Sequence, residues 1–352
     1  MSVTIYDIAQ RAKLSYATVS MALRDLPSIK EETRKRVQNL AKEMGYVPNV
    51  TAISLKRKYG NRIALVMAIE QNNFMRHVKH ECLQHNWDIQ VFDLPFDPVE
   101  IKKLFTRISE ENYIGIITYL TSYDPVSDIL RQMASSRPVV LIGPPADFVP
   151  TPGLLPIYVD NIEPVRNCIR CLLDYGHSKI IHTTSLENKG KYVQVNEVIK
   201  EMLEAAGIKN WDPAFYCVDS HFGAFADEGF KAAEILLRDH PEATAVQCFN
   251  DQFAFGLIKG LQQFGIRVPE DISVCGSDNT FIAKYNSTGI SSVELCYEKT
   301  AGVAIEYICR KLQKPEYDTI PDGVTLHGKF IERESTDVPR SVPLLLNKYL
   351  QK

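Results

Sequence analysis

A chain of 352 residues with 45% hydrophobic and 24% charged residues has the composition of an ordinary globular protein long enough for two or three domains. Its formal net charge of −3 hides a segregation: residues 1–59 hold eleven Lys and Arg against five acids, a net of +6, and the remainder holds 29 against 38, a net of −9. The start MSVTIYDIAQ has no apolar signal core and no apolar run approaches the ~18 residues of a membrane span, so the expectation is a cytoplasmic protein with no membrane partner.

Residues 3–23, VTIYDIAQRAKLSYATVSMAL, place apolar side chains at Ile5, Ile8, Ala9 and Ala12 and again at Leu14, Val19, Ala22 and Leu23. That is helical spacing interrupted once, near Lys13. Thr4 before Asp7 and Ser15 before Thr18 are helix start signals. Two short helices joined through Ala12, Lys13 and Leu14 make a helix-turn-helix. The second presents Tyr16, Ala17, Ser20 and Met21, a face thin and polar enough for a DNA major groove. Two helices of a plain helical subdomain would have the same periodicity. The balance tips on a third helix, opened by Ser28 with Glu31 at capping-box spacing, apolar at Val37, Leu40, Ala41 and Met44 and basic opposite. A basic head on an acidic body also attracts phosphate while discouraging unspecific coating of DNA.

Residues 49–59, NVTAISLKRKY, join a cap-competent Asn49 to three consecutive cations. So short a helix is marginal in water, which leaves either a segment ordered by a ligand or a plain linker. From Arg62 onward, strand-length runs RIALVMAI, DIQVF, YIGIITYL and PVVLIG alternate with helical patterns, predicting a parallel sheet covered by helices. The proline-rich GPPADFVPTPGLLP then separates a second series, which runs from IYVD through KIIHTT, AFYCVD and AVQCFN to ISVCGS. The expected fold is a small all-α helix-turn-helix headpiece plus an α/β core of two doubly wound halves, which usually take a small molecule at the carboxyl ends of their strands.

The eight cysteines read as reduced core thiols. Cys168-x-x-Cys171 and His77-x-x-His80 have metal-like spacing, but both lie in helical patterns without a second ligand pair, so no metal and no cofactor is expected. There is no G-x-G-x-x-G, P-loop or G-x-S-x-G, and no enzyme is expected.

Residues 3–23, with EETRKRVQNLAKEMGYVPNVTAISL after them, closely resemble the headpiece of lac repressor family transcription regulators. The family's three helices, Tyr-x-Pro-Asn and hinge helix ending in Leu are matched by Tyr46, Pro48, Asn49 and Leu55. VDN at 159–161, GHSKI at 176–180, NDQFAFGLIKGLQQFGIRVPEDISVCGSDN and RES at 333–335 follow in the family's order. The resemblance implies a periplasmic-binding-protein-like core, a homodimer on a near-palindromic double-stranded DNA operator, and a small-molecule effector that changes the relative orientation of the core halves. It divides the chain into a headpiece at 1–48, a hinge at 49–60, a core at 61–336 and a tail at 337–352. The core halves would be 61–160 with 292–321 and 161–291 with 322–336, the chain crossing near 161, 291 and 322.

By the same resemblance, Tyr16, Ala17, Ser20 and Met21 read bases, with Tyr able to hydrogen-bond and Ala and Met suited to a thymine methyl. Thr4, Tyr6, Ser15, Thr18, Ser28 and Asn49 contact phosphate, and Leu55 is the minor-groove wedge. Phe74, Lys191, Tyr192, Phe222, Asn250 and Asp278 are the effector candidates.

Several positions depart from the family. Sugar-responsive members clamp the effector with an arginine in R-x-x-G-F, where this chain has Val195 and, for the glycine, Val198. An Asp common after the fourth strand is Gly143. One retained acid and no arginine disfavour anionic effectors; a neutral sugar or polyol, or lost ligand control, remains open. Lys13 takes a turn position usually held by Gly or Asn, where positive φ strains a side chain by roughly 1 kcal/mol. The competing reading, a solute-binding protein of periplasmic type without DNA function, is opposed by the basic headpiece and the missing signal peptide. The tail DVPRSVPLLLNKYLQK is expected to pack on its own core or fray.

Overall fold

The computed structural model describes residues 5–23, 29–44, 61–67, 72–95, 97–120, 122–145, 147–185, 189–209, 212, 214–217, 225–314, 323–342 and 344. The chain forms two compact units, Met1–Asn61 and Arg62–Lys352.

In the first unit, α1 (Ile5–Ala12), α2 (Tyr16–Leu23) and α3 (Glu31–Glu43) close over a small apolar centre. Ile8, Ala9, Ala12, Val19, Ala22, Val37 and Ala41 are buried there, and Leu14, Leu23, Ile29, Leu40 and Met44 pack around them. Lys13, at φ 56°, turns the chain between α1 and α2, the left-handed conformation expected of it. Ser15 Oγ accepts the Thr18 amide at 3.1 Å and so satisfies one of the open donors of α2. The third helix ties down the carboxyl ends of the other two. Arg36 Nη2 donates to Ala12 O at 3.0 Å and Gln38 Nε2 to Ala22 O at 3.2 Å. One expectation is corrected: α3 starts at Glu31 with Lys30 as its N-cap and no side-chain cap, which puts Ser28 too early to cap it. Ser28 itself lies outside the described residues.

The second unit holds two six-stranded sheets. Its elements run β1 (Arg62–Met67), α4 (Asn72–Gln84), β2 (Asp88–Asp93), α5 (Pro98–Glu110), β3 (Gly115–Tyr119), α6 (Ser127–Ala134), β4 (Val139–Ile142) and β5 (Leu154–Asp160). They continue with α7 (Ile162–Asp174), β6 (Ile180–Ser185), α8 (Lys189–Ala205), β7 (Ala214–Cys217), α9 (Phe225–Asp239), β8 (Ala245–Gln247), α10 (Asp251–Gln263), β9 (Ser273–Ser277) and α11 (Phe281–Tyr285). Last come β10 (Ser291–Glu294), α12 (Tyr297–Gln313), β11 (Val324–His327) and β12 (Lys329–Ile331). The first sheet has the order β11-β5-β4-β3-β1-β2, parallel throughout; the second has β12-β10-β9-β8-β6-β7, with only β12 antiparallel. Strands such as β4, buried at every residue, are the continuous apolar runs that a sheet covered on both faces requires.

The IYVD run, which alternation sets at the head of the second series, belongs to the first sheet, within the half drawn at 61–160: β5 pairs with β4 and β11. The described residues of the proline-rich segment form a loop within the first half, between the neighbouring strands β4 and β5.

The chain leaves the first sheet after Asp160, comes back after Glu294 into α12, which packs on α4, and leaves again at Gly328. The second and third passages lie later than 291 and 322 because β10 completes its pairing with β9 and β11 its pairing with β5 before the chain crosses. The passages are bound together. His327 Nδ1 meets Asp160 Oδ2 at 3.1 Å, Cys296 Sγ donates to His327 O at 2.8 Å, and Lys329 Nζ lies 3.5 Å from Glu294 Oε1. Gly328 threads between them: a Cβ there would stand 2.3 Å from Glu294 O.

The start of the tail is fastened to the second half. Arg340 donates to Ala243 O, Asp271 O and Pro241 O at 2.8, 2.6 and 2.8 Å, and Leu344 packs on the core around α9 and α10. Residues 345–352 lie outside the described set. Among the described residues no helix is long and apolar enough to cross a membrane.

Candidate functional site

In the first unit, the α2 face expected to read bases is set by the Ser15 cap and the Lys13 turn. Ser15 is exposed, and Thr18 and Met21 are half-buried. Arg11, Lys13, Lys30 and Lys42 are exposed on the same small body. The side chains of Tyr6, Tyr16, Ala17 and Ser20 lie outside the described residues, as do Thr4, Asn49 and Leu55 altogether.

In the second unit the carboxyl ends of the two sheets meet around Asp278. This residue follows β9 in a left-handed conformation, φ 91°, with Asn279 also positive at 46°. Asn73, from the start of α4, donates Nδ2 to Asp278 O at 3.2 Å, and Tyr297, from the start of α12, donates its hydroxyl to Asp278 Oδ1 at 2.9 Å. Tyr119, the last residue of β3, is beside them; burial first, and then the Asp278 carboxylate, push its phenol well above its ordinary range. Phe74 is fully buried, its ring edge-on to Tyr119 with centroids 5.5 Å apart and tilted against Tyr297 at 6.0 Å. The first half thus offers aromatic rings and the second an acid.

Behind that acid the second half is polar to its centre. Asp251 is completely buried; burial, and next the neighbouring Asp278, push its carboxyl up to about 7, against the hydrogen bonds from Ser292 and Thr280. His182 pairs through Nδ1 with Gln247 Oε1, and burial holds its imidazole down to about 4, hence neutral. Gln247 Nε2 in turn donates to Cys248 O at 2.9 Å.

Of the expected effector residues, Phe74 and Asp278 are brought together. Asn250 lies at the neighbouring strand end, where its Oδ1 accepts the Phe253 amide at 2.7 Å and caps α10. The side chains of Lys191 and Tyr192 and the whole of Phe222 lie outside the described residues. Val195 is buried in an apolar cluster with Cys168, Ile199, Leu203 and Cys275, so no charge enters the cleft from that position. Gly143 has φ 56° and open space where a Cβ would be. Asn73, Tyr119 and Tyr297 are not among the expected residues; the strand-end rule alone would have pointed to Tyr119. Cys168 and Cys171 lie in α7 and His77 and His80 in α4, and among the described residues no group of three or more His, Cys, Asp or Glu could hold a metal ion.

Residues 4–49 match the family model of bacterial regulatory proteins, lacI family, and residues 169–336 match that of a periplasmic binding protein-like domain. The chain is 27% identical over 343 residues to the HTH-type transcriptional regulator RegA of Clostridium saccharobutylicum, covering 96% of this chain and 100% of that one. It is 26% identical over 324 residues to Catabolite control protein A of Priestia megaterium, covering 91% and 95%. Among solved structures it is similar to the lac repressor dimer bound to operator and the anti-inducer ONPF, with TM-score 0.76, 19% identity and 96% and 100% coverage. It is also similar to the transcriptional regulator CelR in complex with cellobiose, with TM-score 0.64, 22% identity and 95% and 99% coverage. Those structures share the fold of both units.

Proposed function

The chain belongs to the lacI family of bacterial regulatory proteins, DNA-binding transcription regulators with a periplasmic-binding-like core, and we propose that it acts as a cytoplasmic dimeric repressor on a near-palindromic operator. The observation that carries this reading is the first unit itself, a basic helix-turn-helix with a capped second helix, at residues that match the family's DNA-binding model. Two-fold symmetry of the protein would be mirrored by two half-sites. Tyr16, Ala17, Ser20 and Met21 would read bases in the major groove, and Thr4, Tyr6, Ser15, Thr18, Ser28 and Asn49 would hold the phosphates. The hinge at 49–60 would order on the minor groove with Leu55 as its wedge.

The cleft around Asp278 would take the effector, with Phe74, Lys191, Tyr192, Phe222 and Asn250 as its other contacts. With Val195 packed in the core in place of the clamp arginine, a neutral sugar or polyol fits better than an anion. Effector binding would change how the halves meet and so the operator affinity.

Selecting bound fragments of the source genome tests the assignment. A shared near-palindromic sequence is the expected result, and no preference over random competitor would refute it. Deleting residues 1–59 should abolish operator binding and leave sugar binding intact. Leu55→Ala should reduce both the bend and the affinity at the selected site; an unchanged bend removes the wedge role. Thermal shift against D-ribose, lactose and cellobiose then separates a sugar-controlled regulator from one without small-molecule control.

A further inference from the structure

The turn between β9 and α11 is built against ordinary backbone preference, since neither Asp278 nor Asn279 is a glycine and both have positive φ. A single buried carboxylate pins it. Asp251 Oδ2 accepts both the Thr280 amide at 2.6 Å and the Thr280 hydroxyl at 2.9 Å, and Oδ1 accepts the Ser292 hydroxyl at 2.6 Å. Ser292 Oγ also accepts the Asn279 amide at 3.0 Å, extending the hold by one residue. Room for the carboxylate comes from Gly276, where a Cβ would stand 2.2 Å from Asp251 Oδ1. The far side of the turn is closed by Asn279, which donates Nδ2 to Glu294 Oε2 and accepts from Arg333 Nη2, each at 2.6 Å. What emerges from this clamp is the Asp278 carboxylate, aimed at the Tyr297 hydroxyl.

We propose that Asp251 is the positioning residue of the cleft: without touching an effector, it sets where the Asp278 carboxylate stands, and it does so through hydrogen bonds that depend on its own protonation. The proposal rests on the reading of Asp278 as the effector acid. Three donors converge on the ionised Asp251. When it takes up a proton, the hydroxyl of Ser292 or Thr280 must turn from donor to acceptor, so the turn has two hydrogen-bond arrangements. Burial and the nearby Asp278 bring the exchange between them close to neutral pH. The charged groups on this network are Asp278 from the turn itself, and Glu294 from β10 with Arg333 beyond β12, both reached through Asn279. The phenols of Tyr119 and Tyr297 face Asp278 from the other half.

The test uses the full chain with aspartate labelled at the carboxyl carbon, following by NMR the Asp278 resonance, identified with Asp278→Asn, across neutral pH. The expected result is a step in the Asp278 signal at the Asp251 midpoint. Asp251→Asn should remove the step, while Thr280→Val and Ser292→Ala, each taking one donor from the ionised form, should move its midpoint up. A packing role alone would lower the melting temperature and leave the Asp278 midpoint where it was. An Asp278 signal flat across neutrality in the wild type, or a step that survives in Asp251→Asn, overturns the proposal. Should Asp251→Asn fail to fold, an unmoved midpoint in both other variants overturns it equally. Titrating D-ribose and cellobiose into the same sample tests the effector reading separately: coupling without any response to either sugar keeps the positioning role and counts against the sugar assignment.

Discussion

The two halves of the larger unit share an architecture and differ in what they bury. Each is a six-stranded sheet wrapped by helices. Among the described residues of the first half the buried polar side chains are Thr118, Thr151 and Thr300, and Asp278 is met from that half by the aromatic group of Phe74, Tyr119 and Tyr297. The second half buries two hydrogen-bonded groups, His182 with Gln247 and Ser277, and Asp251 with Ser292 and Asn279, the latter holding the turn that carries Asp278. Apolar contacts tolerate small displacements, whereas a satisfied polar network admits few arrangements and loses heavily when one member is removed. On the proposed reading, the second half would hold the effector acid rigidly and the first would offer the more forgiving face.

Backbone packing between two helices of the second half carries the largest expected effect. Helices α9 and α10 cross in backbone contact: a Cβ at Gly256 would stand 1.9 Å from Ala226 O, and one at Gly229 would stand 2.1 Å from Phe253 O. Gly256→Ala should destabilise the protein by about 3 kcal/mol in urea unfolding, because two backbones and not a flexible side chain must separate. A loss under ~1 kcal/mol would mean that the second half is as forgiving as the first.

Asp251→Asn comes next, and its sign changes with pH. A carboxyl raised to about 7 binds its proton more tightly in the folded chain than in the unfolded one. Wild-type stability gained from that proton is complete below the unfolded pKa and falls as pH rises towards 7. Relative to wild type, Asp251→Asn should gain about 2 kcal/mol between pH 5 and pH 8, read from melting temperatures at the two pH values. A pH-independent difference would place the raised acid elsewhere.

Hydroxyl removal compares the halves directly. Ser292→Ala leaves the Asp251 carboxylate and the Asn279 amide each short of a partner and should cost about 2 kcal/mol. Thr118 Oγ1 bonds only locally, to the carbonyl of Tyr119, and Thr118→Val should cost less than ~0.5 kcal/mol. Equal losses in urea unfolding would erase the distinction drawn between the halves.

How much of this could be read in the sequence depended on the range of the interaction. The α1 and α2 helices and the Ser15 cap were legible because periodicity and capping act over three or four residues. The start of α3 was not, because its position is held by Arg36 and Gln38 reaching 24 and 16 residues back to the ends of α1 and α2. The sheets are legible as alternation, but alternation alone puts IYVD in the second series, since a proline-rich loop between two neighbouring strands has the look of a domain boundary; the family's division at 160 puts it in the first half, where β5 lies. Asp278 could be found from a late motif. Its partner Asn73 could not: the two are 205 residues apart in the chain and meet only because both sheets turn their carboxyl ends to one cleft.

One polar bond across that cleft joins Tyr297 to Asp278, and Tyr297→Phe should have a modest effect. It removes the hydroxyl that Asp278 Oδ1 accepts at 2.9 Å and keeps the ring against Phe74. A cost of about 1 kcal/mol is expected, with hydrogen exchange rising at the start of α12 more than in the second-half strands. Uniform loosening of both halves would contradict a rigid second half facing a more forgiving first.

The smallest effect inverts the sign of the largest with the same chemical change. Gly302 lies within α12, on the first-half side, and a Cβ there would meet nothing within 4 Å. A methyl group at this place causes no clash and relieves the conformational freedom that glycine brings to the unfolded chain. Gly302→Ala should therefore stabilise the protein by up to ~1 kcal/mol, visible as a rise in melting temperature. The two glycine substitutions share their local helical gain and differ in what lies opposite, which is open space for α12 and a second backbone for α10. If Gly302→Ala were destabilising, α12 would be packed as tightly as α10, and the open space seen beside Gly302 would not exist in solution.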